Sequence, residues 1–351
     1  MERVASILLQ EFSKRLDVEL HLVVYGIDRH IAYDVPPCVT IHVPPFDFRS
    51  QHRIVSAIRT LGFLRRSVRR INPDAVLSFG ERWNSFVLIS QLGCRNRVFV
   101  ADRSNPKKSL GRVHDLLRNV LYPRSSGLIV QTRKAWEIAQ RNRRNRNIEI
   151  IGNPIREIGH SDGPRKNVVL TIGRLIKTKN LDRLIRNFAE IGRSDWKLVI
   201  VGGDAQKQQH ECNLKALAQE LGAESYIRFE GFQSDVEAYY RESKIFAFTS
   251  SSEGFPNVIG EALAFGLPTV SYDCTAGPSE MITDGENGYL VPTFDDDAFR
   301  QKLALLMDNE DLRAEMSEDA ARSIQKFHSG VIADQFYSFI AGEAEPAANS
   351  L

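Results

Sequence analysis

Long apolar runs are missing from this 351-residue chain. None approaches the roughly 20 residues that a membrane-spanning helix requires. The opening stretch, Met1-Glu-Arg-Val-Ala-Ser-Ile-Leu-Leu-Gln10, carries an acid and lacks a small-residue cleavage pattern, so it does not read as a secretory leader. Cysteine is scarce. Cys38, Cys94, Cys212 and Cys274 lie far apart with no metal-type spacing, and reduced core thiols in a cytoplasmic protein are the expectation. No internal repeat stands out, and no basic–aromatic interleaving of the kind that grips nucleic acid is present. No Asp-x-Asp pair falls at a strand end. Asp295-Asp-Asp297 lies in a late acidic turn and reads as a solvated helix N-terminus rather than a metal site.

What remains is an ordinary globular composition, 42% hydrophobic and 26% charged, long enough for two domains. Net charge is only +2, yet it is unevenly spread. Residues 1–150 hold 26 Lys+Arg against 13 Asp+Glu, and residues 151–351 hold 20 against 31. The first half therefore suits an anionic partner, and a membrane surface or a phosphate-bearing acceptor fits better than nucleic acid. The basic run Arg65-Arg66-Ser-Val-Arg69-Arg70 is either a membrane-facing stripe or a solvated helix face.

Short apolar runs alternate with helical patterns through the second half, the mark of a doubly wound parallel sheet. Strands are expected at 167–173, 197–202, 225–231, 244–249, 268–273 and 288–292. The first half repeats the style, with strands near 18–25, 38–43, 74–79, 96–101, 127–131 and 148–151 and helices near 50–70 and 133–142. Gly152-Asn-Pro154 and Gly159-His-Ser-Asp-Gly-Pro164 mark a linker. Chemically suggestive residues follow the strands of the second half: Gly173-Arg174, Gly202-Gly-Asp204, Gly231-Phe232, Ser250 to Glu253 and Gly277-Pro278. Ligands of open parallel sheets bind outside the carboxyl ends of the strands.

The densest stretch is Ser250-Ser-Ser-Glu253-Gly-Phe-Pro-Asn-Val-Ile-Gly-Glu261-Ala-Leu-Ala-Phe-Gly-Leu-Pro-Thr269. It sets one carboxylate in a loop and a second inside an apolar helix, with Pro256 suited to the first helical turn. The open N–H groups of that turn form an anion site. Glu261 should be buried, and a buried carboxylate needs hydrogen-bond donors, which a polyhydroxylated ligand would supply. Glu253, helix start, Glu261 follows the order of a sugar nucleotide: sugar hydroxyls, diphosphate, ribose.

This segment resembles the Glu-x7-Glu signature of retaining GT-B glycosyltransferases of family four, also called glycosyl transferases group 1. The likeness continues through Gly173-Arg-Leu-Ile-Lys-Thr-Lys-Asn180, Val201-Gly-Gly-Asp204, Phe229-Glu-Gly-Phe232, Ala276-Gly-Pro-Ser-Glu-Met-Ile282 and Asp284-Gly-Glu-Asn-Gly-Tyr-Leu-Val-Pro292. It implies two Rossmann-like α/β domains facing across a cleft. Residues 1–155 would form the acceptor-side domain, 164–328 the nucleotide-sugar domain, 329–345 a helix crossing back, and 346–351 a tail. The resemblance assigns Glu253 to hydroxyls of the transferred sugar, Glu261 to the ribose, and Arg174 with Lys179 to the diphosphate. Gly173 closes the first strand of that domain, and Gly254, Phe255, Pro256, Asn257 and Val258 would contribute mainly backbone. Gly231 and Phe232 match the turn that meets the nucleobase, although Phe232 could equally pack into the core. Gly277, Ser279 and Glu280 form a second helix start read as structural.

In the first half, Arg103, Lys107 and Lys108 either grip an acceptor phosphate or form a solvated basic loop. The histidine that many relatives carry near there is absent. So, by resemblance, are the first strand and Gly-rich loop that precede a similar Glu-Arg-Val helix start. The implied activity is metal-independent, retaining transfer of a hexose or N-acetylhexosamine from a nucleotide-diphosphate sugar, with UDP expected. The acceptor would be lipid-linked or a polysaccharide, in cell-surface glycan synthesis. No cofactor beyond the nucleotide-sugar co-substrate is expected, and the protein would be cytoplasmic or peripheral on the inner membrane face. A catalytically inactive sugar-nucleotide-binding protein is the alternative.

Overall fold

The computed structural model describes residues 2–24, 33–46, 53–156, 163–204 and 209–342. The expected linker at Gly159–Pro164 falls outside them except for its last two residues, and the expected tail at 346–351 falls outside altogether. The chain forms two units, Met1–Pro154 with Ser329–Leu351, and Ile155–His328.

The first unit runs α1 (Glu2–Phe12), β1 (His21–Val23), β2 (Thr40–His42), α2 (Arg53–Ile71), β3 (Ala75–Phe79), α3 (Glu81–Ser90), β4 (Arg97–Ala101), α4 (Arg112–Leu121), β5 (Gly127–Val130), α5 (Arg133–Arg141) and β6 (Ile148–Ile150). All pairings are parallel, in a two-stranded β1-β2 sheet and a four-stranded sheet of order β3-β4-β5-β6. One core of this unit gathers Leu64, Val87, Leu88, Val98, Val100, Tyr122, Leu128 and Val130.

The second unit runs β7 (Val168–Ile172), α6 (Leu181–Ile191), β8 (Lys197–Val201), α7 (His210–Glu220), β9 (Ile227–Gly231), α8 (Glu237–Glu242), β10 (Ile245–Phe248), α9 (Asn257–Ala264), β11 (Thr269–Asp273), α10 (Pro278–Met281), β12 (Gly288–Pro292), α11 (Asp296–Asp308) and α12 (Glu310–Ser323). Its strands are near-continuous apolar runs, as expected where helices cover both faces. They form one parallel sheet of order β12-β11-β10-β7-β8-β9. The order reverses between β7 and β10, which makes their shared carboxyl end a topological switch point. α6 shows why such helices form here. Leu181, Leu184, Ile185 and Phe188 recur at helical spacing and are buried, and Gly192 ends the helix at φ 71°.

The last helix, α13 (Ser329–Ala341), belongs to the first unit. Phe336 lies 6.1 Å from Phe79, and Phe339 packs edge-on against Phe99 at 5.5 Å between ring centroids. A side chain at Gly127 would meet the Phe339 ring at 2.7 Å, so glycine is required there by packing. α1 and the turn after it meet α13: Ser329 donates to Glu11 at 2.9 Å, and Arg15, just past α1, pairs with Asp334 at 2.5 Å.

Three expectations need correction. Pro256 is the residue before α9, not part of its first turn, because the helix begins at Asn257. The cysteines are not all core thiols: Cys38 and Cys212 are exposed, Cys94 is half-buried, and only Cys274 is buried. Glu261 does not wait for a ligand to supply its first donor, because the Tyr240 hydroxyl already donates to it.

Candidate active site

At the switch point, the loop after β7 and the loop after β10 are tied together. Asn180, held at φ 47°, donates through Nδ2 to Thr249 O at 2.8 Å. Thr249 Oγ1 donates to Lys179 O at 2.8 Å, and Ser251 N donates to Thr178 O at 2.9 Å. These bonds hold Lys179 beside Glu253. Lys179 Nζ and Ser250 Oγ both donate to Glu253 Oε1 at 2.6 Å. The ammonium also lies 4.8 Å above the Phe248 ring. The pair is about four-fifths buried, where charge–charge interaction is stronger than in water.

A pocket opens at the same place, lined by Thr171 to Arg174, Lys179, Leu181, Ile200 and Phe248 to Ser250. Gly173 and Arg174 close β7 on its rim. Arg174 is exposed, and no ion-pair partner for it is found among the described residues. The neighbouring strand ends come unusually close together. A Cβ on Gly202 would lie 1.8 Å from Gly173 O, so only glycine fits where β8 meets β7. Gly202 N in turn donates to Gly231 O at 2.8 Å. Phe232, directly after β9, is 81% exposed with its Cβ against Gly203. The core-packing reading of Phe232 is therefore excluded, and its ring stands open on the same edge of the sheet.

Gly254, Phe255 and Pro256 lead from Glu253 into α9. Phe255 and Pro256 are buried, and Phe255 meets Phe327 edge-on at 5.4 Å, so side-chain packing fixes this turn. Asn257 and Val258 open the helix half-buried. Gly260 lets α9 approach Ile155, whose Cδ1 would be only 2.7 Å from an added Cβ. Glu261 is 8% exposed, and its Oε2 accepts from the Tyr240 hydroxyl at 3.0 Å. The far end of α9 is capped by Arg165, which donates to Phe265 O at 2.5 Å and to Gly266 O at 3.2 Å. Burial pushes the Arg165 guanidinium below its ordinary value.

Cys274, after β11, is buried, and burial first, then the nearby Glu253 charge, push its thiol up to about 11. Asp295 caps α11 by accepting from Ala298 N at 3.0 Å. Asp296 is engaged by Arg183, Asn187 and Tyr272. The acidic run thus serves a helix start, as the sequence suggested.

Arg103 belongs to the first unit and is turned inward. Its Nη1 donates to Asn153 Oδ1 at 2.9 Å, and its guanidinium lies 5.2 Å from the Phe79 and 5.1 Å from the Phe336 ring centres. Nε and Nη2 are buried with no partner among the described residues, and burial brings the side chain down to about 10. A free phosphate would have to open this packing to reach it. Lys107 and Lys108, in contrast, are exposed. Glu81 organises the loop by accepting from Arg103 N at 3.0 Å and Ser104 N at 2.7 Å. Asn180, Ser250, Arg165 and Tyr240 carry contacts that the sequence assigns to none of them, although Ser250 opens one of the suggestive strand-end loops. The first two lie inside recognisable loop motifs, whereas nothing local marks Arg165 or Tyr240.

Residues 156–323 match the family model of glycosyl transferases group 1. A Campylobacter jejuni α-1,4-N-acetyl-D-galactosaminyltransferase, whose name gives a glycan on diphospho-undecaprenol, is 26% identical over 83% of this chain and 80% of its own length. A second C. jejuni enzyme, an N-acetylgalactosamine-N,N'-diacetylbacillosaminyl-diphospho-undecaprenol 4-α-N-acetylgalactosaminyltransferase, is 28% identical over 97% of this chain and 96% of its own. This chain is a glycosyltransferase. Among solved structures, the lipopolysaccharide outer core galactosyltransferase WaaB aligns with TM-score 0.76 at 20% identity, over 98% of this chain and 96% of that one. Anabaena HepE in complex with UDP and glucose aligns with TM-score 0.78 at 18% identity, over 97% and 95%. At such identities these structures bear on fold alone, and with the parallel sheets of both units they establish this glycosyltransferase as a two-domain, Rossmann-like GT-B protein.

Proposed function

We propose that this glycosyltransferase moves a hexose or N-acetylhexosamine from a UDP-linked donor to a lipid-linked or polysaccharide acceptor of a cell-surface glycan, with retention and without a metal. The observation that carries the reading is the Lys179–Glu253 pair, 2.6 Å apart at the β7/β10 switch point, with Arg174 on the rim of the same pocket. Departure of a nucleoside diphosphate builds negative charge, and fixed cations aimed at that charge lower the barrier. Arg174 and Lys179 are such cations, and the first N–H groups of α9 add a partial positive charge.

Glu253 accepts hydroxyls of the transferred sugar, held in place by Lys179 and Ser250, while Glu261 receives the ribose and Phe232 offers a face to the base. The acceptor hydroxyl attacks the anomeric carbon on the side the diphosphate leaves, its proton passing to a leaving phosphate oxygen. This retaining course rests on the likeness of Glu253 and Glu261 to the family signature. The lipid-linked acceptor is supported by the names of the C. jejuni relatives, and the amylovoran biosynthesis glycosyltransferase of Erwinia amylovora, 28% identical over 73% of this chain, points to a polysaccharide. The basic first half fits work at an anionic membrane surface.

The test is UDP titration joined to a chromatographic turnover assay with UDP-sugars and glycan acceptors. Glu253→Gln is expected to lower turnover on the order of a hundredfold while changing UDP affinity little. Arg174→Ala is expected to weaken UDP binding itself by roughly tenfold. Wild-type behaviour of both variants would remove this site from the reaction, and UDP binding with no product from any acceptor would favour an inactive nucleotide-sugar binder.

A further inference from the structure

Tyr240 is nearly sealed, 1% exposed, in the six-residue helix α8. Its ring is sandwiched by neighbours: it stacks on Phe265 at 5.2 Å with an interplanar angle of 12°, and lies 6.1 Å from Phe246. Packing of this kind leaves the ring little freedom and aims the hydroxyl at one place. That place is the inner face of α9, where the oxygen is 3.0 Å from Glu261 Oε2 and 3.4 Å from Val258 O. A phenol has one proton to give, and the shorter contact is to the charged and stronger acceptor. Phe265, the stacking partner, closes the turn that begins at Glu261, its N–H donating to Glu261 O at 3.1 Å. The tyrosine therefore grips the same helical turn twice, through its ring at Phe265 and through its hydroxyl at the carboxylate.

We infer that Tyr240 is a positioning residue for nucleotide recognition: its hydroxyl fixes Glu261 in the rotamer that presents the carboxylate to the two ribose hydroxyls of the donor. The inference rests on the ribose role proposed for Glu261. A carboxylate on a long side chain has several rotamers, and ordering it only upon binding would cost conformational entropy at that step. Tyr240 orders it beforehand, which is how a buried neighbour strengthens a contact it never makes.

Deoxyribose nucleotides separate this role from general packing. Affinities for UDP, 2′-deoxy-UDP and 3′-deoxy-UDP are measured by calorimetry on the full chain, for wild type, Tyr240→Phe, Glu261→Gln and the double variant. Wild type is expected to prefer UDP over at least one deoxy form. Tyr240→Phe keeps the ring and is expected to shrink that preference by roughly tenfold, through weaker UDP binding with deoxy-nucleotide affinity unchanged. The double variant is expected to lose no more than Glu261→Gln alone, because both changes act on one contact. Equal weakening of UDP and its deoxy forms in Tyr240→Phe would reduce the tyrosine to packing and overturn the inference. So would full retention of the preference in Tyr240→Phe while Glu261→Gln loses it, an outcome that leaves the ribose role of Glu261 standing. No preference in wild type would instead remove the ribose role itself, and the inference with it.

Discussion

Cys274 carries the pH signature of the site's immediate surroundings. Its thiol ionises near 9.0 when free and near 11 in the fold, because burial and then the Glu253 charge oppose the thiolate. Below pH 9 the group is protonated in folded and unfolded chains alike and contributes no pH dependence. Between pH 9 and about 11 the unfolded chain loses the proton and the folded one keeps it, so stability falls as pH rises through that window. The loss is of order 1–3 kcal/mol by the usual conversion of a pKa difference. Urea denaturation of wild type and Cys274→Ala at pH 8 and pH 10.5 checks this: the variant should lack that share of the alkaline loss. At pH 8 iodoacetamide should label the exposed Cys38 and Cys212 in the native protein and leave Cys274 unmodified.

At the scale of elements, α9 is the piece on which the site depends, and it is held at both ends. Phe255 and Pro256 pack its entry, and Arg165 bonds the carbonyls at its exit. Those carbonyls have no intrahelical partner and sit at the negative end of the helix dipole. Arg165→Ala should therefore cost about 1–2 kcal/mol in urea denaturation. Arg165→Lys should restore only part of it, since one ammonium does not match the guanidinium fork that spans Phe265 O and Gly266 O. The sequence made α9 and its acids legible because Gly, Pro and two glutamates stand at fixed offsets in an apolar run. The strands were equally legible: apolar runs placed β7 to β12 within two residues of their observed ends. Arg165 and Tyr240 were not, because their roles come from contacts about 100 and 21 positions away in sequence, which no local pattern encodes. For Arg103 the sequence leaves open an acceptor-phosphate ligand or a solvated basic loop, and its packing against Phe79 and Phe336 is a tertiary contact that no local pattern encodes.

For the whole molecule, two features act through a unit rather than a site. The first is charge. With 26 basic against 13 acidic residues in its first 150, the chain should sediment with vesicles containing anionic lipid and not with neutral ones. Raising salt to about 0.5 M should release it, because surface attraction is screened within a few ångströms at that strength. Equal binding to both vesicle types would argue against the membrane proposal. The second feature is the discontinuity of the first unit. Phe336 is fully buried on α13, so Phe336→Ala should cost about 3–5 kcal/mol of that unit's stability. Two unfolding transitions in calorimetry, with only one shifted by the substitution, are the expected result.

That discontinuity also sets an order of events on the ribosome. All residues of the second unit, Ile155–His328, emerge as one uninterrupted stretch, so its six strands can close as soon as they leave the exit tunnel. The first unit begins to emerge earlier yet finishes later, for Phe79 and Phe99 lack their aromatic cover until residues 329–341 have been made. A nascent chain halted before Ser329 would carry a finished second unit and a half-built first one, its bare phenylalanines a target for chaperones and proteases.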